Sequence, residues 1–176
     1  MNKPELQPSD TRQTTATLMH QAHERVYADN LVVGQVFTVG SYLMTREEIM
    51  EFAGLWDPQY THVDEARALN SQFGGIIASG LHTLCVFQRL AVKNLYYNWA
   101  VVAGRRIREI RYRKPVRPGT TVTGTVAVPE VWYRSKEPRA LVTKVGKLVD
   151  DDGDEVLSMT VEAYMGMRPR ATWSQP

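Results

Sequence analysis

The sequence predicts an α+β domain in which a curved antiparallel sheet wraps around one long central helix. Three observations predict it. Residues 79–95 carry apolar side chains on nearly every helical face, which demands burial almost all round. Stretches of strand character follow at about 101–113, 120–131, 141–149 and 155–165. Asp152-Gly153, within Asp150–Asp154, marks a hairpin loop between the last two. An open α+β sheet fits the same pattern, so periodicity alone leaves the topology open.

Each element has a local cause. Val36–Met44 (VFTVGSYLM) is rich in strand formers. Thr45-Arg46-Glu47-Glu48 then fits a capping box, the Thr45 hydroxyl accepting from the Glu48 amide while Glu48 reaches back. Ile49, Phe52, Ala53 and Trp56 follow at the spacing of one helical face. Pro58 disfavours helical geometry at Asp57 and stops the helix there. Asp64 is placed to cap a second short helix reaching Asn70. Phe73-Gly74-Gly75 is a break, Ser79 caps the central helix, and Pro118-Gly119 is a turn. Residues 1–24 are polar and read as a flexible arm, with one domain over 25–170 and a short tail at 171–176.

Composition bounds the function. A chain of 176 residues with 43% hydrophobic and 23% charged residues is globular, and it buries a core without staples. A net charge of +2 is too small to call for nucleic acid. One cysteine, Cys85, allows no intramolecular disulfide, and its place between Leu84 and Val86 reads as core. No apolar run approaches membrane-spanning length, so a cytoplasmic protein without membrane contact is expected. His82, in the first turn of the central helix, reads as a packed or interface histidine, and His20 and His23 as solvated groups of the arm.

The chemistry is concentrated between Phe52 and Thr83. Asp57 ends a helix, where the dipole disfavours the carboxylate; its pKa is therefore expected to rise. His62 lies close enough for a loop to bring both side chains onto one water, an arrangement suited to general acid–base work. Free N–H groups at Gly80, opening the central helix, can hold a developing oxyanion. These are the parts needed to add water across a double bond conjugated to a carbonyl.

At these residues the chain resembles the MaoC-like family, which includes the (R)-specific enoyl-CoA hydratases. The shared motif is Asp57, His62, Val63, Asp64, Phe73-Gly74 and Gly80, and Tyr112–Gly119 (YRKPVRPG) resembles the family's later strand and turn. Many hydratases have Asn-Pro where this chain has Gln59-Tyr60, and His-Gly where it has Ser79-Gly80. The resemblance covers roughly residues 30–165. It implies a hotdog fold, an active site at a dimer interface, and a CoA or acyl-carrier thioester substrate. By the same resemblance Asp57 and His62 are the catalytic pair and the Gly80 amide is the oxyanion holder. Gln59 and Ser79 are expected to bind substrate or orient the pair.

Residues 104–117 hold seven basic side chains, a solvated strand face or a phosphate-binding strip. Arg105, Arg106 and Arg108 are the expected contacts to the phosphates of CoA, with Arg111 and Arg113 as further candidates. The expected activity is reversible hydration of a trans-2-enoyl thioester to a 3-hydroxyacyl thioester by a homodimer or larger assembly. No metal or redox cofactor is implied. A hotdog thioesterase and a non-catalytic thioester-binding subunit are the competing readings.

Overall fold

The computed structural model describes residues 24–133 and 137–169. The predicted tail, and the predicted arm up to residue 23, lie outside this range. In chain order come β1 (Val36–Leu43), α1 (Arg46–Trp56), α2 (Tyr60–Val63), α3 (Glu65–Leu69), α4 (Gly80–Asn94), β2 (Val101–Tyr112), β3 (Thr121–Tyr133), β4 (Arg139–Val149) and β5 (Glu155–Gly166). The five strands form one sheet in the order β1-β3-β4-β5-β2, every pair antiparallel. The sheet curls over α4, which is the hotdog arrangement.

Burial alternates along β3, with Val122, Val126 and Val128 buried and their neighbours half-exposed, the period of two that puts one face on the core. On α4 the buried residues are His82, Thr83, Val86, Phe87, Leu90 and Ala91. Full burial of each large side chain is worth about 1.5–3 kcal/mol. Phe87 sets the docking of helix on sheet. A Cβ built on Gly146 of β4 would lie 2.1 Å from the Phe87 ring, so the ring fills the space a side chain would take. Gly124 of β3 is a second dimple, where a Cβ would meet Val39 at 2.6 Å.

Two sequence expectations are corrected at α4. The helix is not buried all round: Leu81, Cys85, Gln88, Arg89, Val92 and Lys93 are exposed in the single chain. Cys85 is therefore surface and not core. Cys85 lies two residues before Phe87, just over half a turn around the helix, which points it outward, and an apolar i−1 and i+1 neighbour says nothing about its own side of the helix. His82 is packed, as expected. It is buried, its ring stacks on Phe52 of α1 at 4.6 Å, and burial holds its imidazole below the usual range.

The capping box at Thr45 forms in a modified way. The Glu48 amide donates to Thr45 Oγ1 at 3.2 Å, but the Glu48 carboxylate accepts from the Thr45 hydroxyl and from Tyr42 at 2.6 Å, tying α1 to β1. Asp64 caps α3 by accepting from the Arg67 amide at 3.0 Å. The Asp150–Asp154 loop closes as a hairpin, with Gly153 at φ 84°.

Candidate active site

The region between α1 and α4 is built to aim three groups into one hollow. Asp57 is the residue after the last turn of α1, and its amide still donates to Ala53 O at 2.9 Å. Pro58 ends the helix and the chain turns at once into α2. Residues 60–63 were expected as loop. They form a single helical turn, closed by His62 N–H to Gln59 O at 2.9 Å and Asp64 N–H to Tyr60 O at 3.0 Å. A four-residue helix has no room for a readable hydrophobic period, which is why the sequence did not reveal it. This turn buries His62 and faces it inward.

The segment leading to α4 holds the imidazole. Gly74 and Gly75 adopt φ 62° and 147°, conformations open to glycine, and swing the chain back across α2. Ile77 N–H then bonds Thr61 O at 3.1 Å, and Ala78 N–H bonds Val116 O at 2.8 Å. The Ile77 carbonyl is left facing His62 Nδ1 at 2.8 Å. A carbonyl only accepts, so Nδ1 carries the proton. In the neutral ring Nε2 then carries the lone pair, and it lies 3.7 Å from Asp57 Oδ2.

Asp57 is held by two donors. Ser79 Oγ donates to Oδ2 at 2.5 Å and Gln59 Nε2 donates to Oδ1 at 2.8 Å. These bonds, the Ser79 hydroxyl first, hold its carboxyl below the usual carboxylate range. This corrects the expectation of a raised pKa: two directed hydrogen bonds outweigh the diffuse field at a helix end. Gln59 and Ser79 therefore both serve as positioning groups for Asp57 in the unliganded site. Loss of the Ser79 hydroxyl has a definite sign. In Ser79→Ala the Asp57 carboxyl rises towards its ordinary value, which NMR titration of the Asp57 side-chain carboxyl reads.

Ser79 also caps α4, accepting from the Leu81 amide at 3.2 Å. Gly80, the first residue of α4, has an N–H with no acceptor within the helix. A Cβ on Gly80 would lie 2.8 Å from the Tyr112 ring. Close packing by Tyr112 is thus a second reason for glycine here, besides approach of a reacting oxygen. Asp57, Gln59, His62, Gly80, Tyr112 and Lys114 are among the residues around a hollow of about 490 Å³, within the roughly 300–1,000 Å³ usual for small-ligand sites. Its other walls are largely apolar, among them Ile77, Leu81, Val116 and Val156.

The structure brings Asp57, Gln59, His62, Ser79 and Gly80 together. It does not bring Arg105, Arg106 and Arg108 to this hollow within one chain. All three turn to Glu162 of β5, which is fully buried: Arg105 at 2.6 Å, Arg106 at 2.9 Å, and Arg108 as a third partner. The pairing slips between Gly104 and Arg106, a bulge that lets consecutive arginines reach one carboxylate. Arg106 foremost holds the Glu162 carboxyl down at about 2 against an ordinary 4.5. A lowered carboxyl stabilises the fold above its unfolded pKa and loses that contribution as pH falls between these values. Glu162→Gln is expected to lower Tm near neutral pH and to flatten the fall of Tm across that acid window.

Arg111 pairs with Glu109. The cations that do line the hollow are Arg113 and Lys114. Lys114 and Tyr112 were not singled out from the sequence. The Tyr112–Gly119 run held the signal, because a strand end followed by Pro115 leaves the sheet next to the α4 tip.

The comparisons with known proteins agree with this fold. Residues 29–150 match the MaoC like domain. The chain is 41% identical over 90 residues to the uncharacterized protein YdeM of Bacillus subtilis (strain 168), a match covering 51% of this chain and 64% of that protein, so it spans less than two thirds of that relative. Among solved structures it is similar to the MaoC-like dehydratase from Rhodospirillum rubrum, at 30% identity and TM-score 0.75 over 82% of this chain and 99% of that one. It is also similar to the (R)-hydratase from A. caviae involved in PHA biosynthesis, at 25% identity and TM-score 0.61 over 78% and 97% of the two chains. With the hotdog sheet, the Asp57–His62 pair and a family match over most of its length, the chain belongs to the MaoC-like domain family of hydratases and dehydratases.

Proposed function

We propose that this protein reversibly hydrates a trans-2-enoyl thioester to the 3-hydroxyacyl thioester. The observation that carries the reading is the state of His62. Its Nδ1–H is committed to the Ile77 carbonyl, and its Nε2 faces the Asp57 carboxylate at 3.7 Å across the wall of an apolar-lined hollow. A water between these two groups meets one base with a free lone pair and one anion that fixes its second hydrogen.

The step balances as follows. The water oxygen bonds to the β-carbon while Nε2 takes its proton. The C=C electron pair moves to the α-carbon and the carbonyl oxygen, where the Gly80 N–H at the helix tip receives the developing charge. The imidazolium, stabilised by ionised Asp57, then returns the proton to the α-carbon. No redox change occurs, and the protein groups supply the acid, the base and the anion site.

The substrate is proposed to be a CoA or acyl-carrier thioester, with Arg113 and Lys114, which line the hollow while pairing with Glu155 and Asp150, as the cations offered to a phosphate-bearing arm. The assembly is proposed to be a homodimer joined through β2. That edge strand pairs only with β5 among the described residues, and it exposes Val101, Val102 and Ile107, a row that a second strand would cover. The test is loss of enoyl absorbance on mixing purified protein with short and longer trans-2-enoyl-CoAs. Release of free thiol instead of loss of the double bond would replace hydration with thioester hydrolysis.

A further inference from the structure

A second hollow contains a lysine that the hydration chemistry does not use. It measures about 450 Å³ and shares no lining residue with the Asp57–His62 site. Its walls come from α4 (Phe87, Val92), β2 (Val101, Ile107) and β5 (Met159, Val161), all apolar. Lys144 of β4 projects among them at a position that sheet alternation assigns to the core: Val142 and Gly146, two residues either side, face α4 and are buried. The lysine is itself only 5% exposed.

Its ammonium is uncompensated. Nζ sits 4.0 Å over the Tyr96 ring, and no carboxylate among the described residues lies within ion-pair distance of it. Tyr96 is the one other titratable side chain lining the hollow, and burial raises its pKa, so it stays neutral. A buried charge with only a ring face for company is costly to keep. Burial alone lowers the Lys144 pKa, to about 8, which leaves the group mainly cationic near neutral pH. One further polar group, the Gln88 amide, lines the same space.

We propose that this hollow binds a monocarboxylate with an apolar chain, its head on Lys144 and its tail along Val92, Ile107 and Met159. A single ammonium matches one negative charge. A phosphate dianion would leave an unpaired charge among apolar walls, and a neutral lipid would leave the ammonium as uncompensated as before. The proposal uses no residue of the Asp57–His62 chemistry; it shares Val101 and Ile107 with the edge proposed to join two copies, so the bound tail lies beside that edge.

Calorimetric titration of the full chain with octanoate tests it, with octan-1-ol as the neutral control of similar shape. Octanoate is expected to saturate the wild-type protein and the Asp57→Asn variant alike. Lys144→Met is expected to weaken it by about tenfold or more, the worth of a hydrogen bond to a charged group, while octan-1-ol binding is unchanged. The wild-type protein gives a second reading that needs no variant: octanoate affinity falls as pH rises from about 7 to about 10, while octan-1-ol affinity does not, because only the acid form of Lys144 pairs with the head. Equal octanoate affinity in wild type and Lys144→Met, an affinity flat across that pH range, or no saturable octanoate binding to the wild-type chain would each overturn the proposal. The last is the outcome if a second copy of the chain fills the hollow.

Discussion

Replacing Asp57 with Asn, or His62 with Ala, is expected to lower kcat/KM for enoyl-thioester hydration by roughly a hundred- to ten-thousand-fold, the usual worth of a positioned acid–base group. The protein should remain folded in both cases. Asp57→Asn puts an amide donor where the water needs an acceptor, and it removes the anion that steadies the imidazolium. Ser79 Oγ and Gln59 Nε2 also lose a charged acceptor. His62→Ala removes the lone pair that takes the proton. Because both side chains act on one water, the losses should not add: the double variant should be little worse than the more damaged single one. Steady-state kinetics on the three variants, with a thermal melt of each, reads this directly. Additive losses would mean that the two residues act at separate steps.

The largest effect on stability is expected at a residue far from the chemistry. In Gly146→Ala the new methyl would sit 2.1 Å from the Phe87 ring, which is held by α4 on one side and by the sheet on the other. Overpacking of this kind costs about 1–3 kcal/mol or more, and each kcal/mol lowers Tm by about 2–4 °C for a chain of this size. Pairing it with Phe87→Leu should recover part of the loss, although Phe87→Leu alone destabilises. That sign reversal in a double-mutant cycle is the signature of a ring seated in a glycine dimple. Chemical denaturation of the four proteins measures it. If Gly146→Ala melts with the wild type, helix and sheet are not registered by this contact.

How far the sequence could be read follows from the range of each interaction. The strands and α4 announce themselves because their signals repeat over ten or more residues. Thr45, Asp64, Ser79 and the Pro118-Gly119 turn are local, and each sits where its chemistry places it. The nearness of Asp57 and His62 was legible through their motif, but their electrostatics were not. The sense of the Asp57 shift depends on Ser79, twenty-two residues away in the chain, and on which oxygen each donor reaches. The pairing of the arginines was hidden for a similar reason. Arg105, Arg106 and Arg108 look free in a basic run, and Glu162 lies more than fifty residues downstream. Burial of Lys144 was invisible because β4 alternation assigns its side only after the register with β3 and β5 is known. Cys85 shows the converse: an apolar neighbourhood in the chain does not place a helix residue inside.

The most direct check follows the water's oxygen. Purified protein is incubated with a trans-2-enoyl-CoA in oxygen-18 water, and the products are weighed by mass spectrometry. If Asp57 and His62 direct water to the β-carbon, the heavy oxygen appears as the 3-hydroxyl of an intact thioester, and Asp57→Asn does not incorporate it. Heavy oxygen found in a free carboxylate, or no labelled 3-hydroxyacyl thioester formed by the folded wild-type protein, would contradict that account.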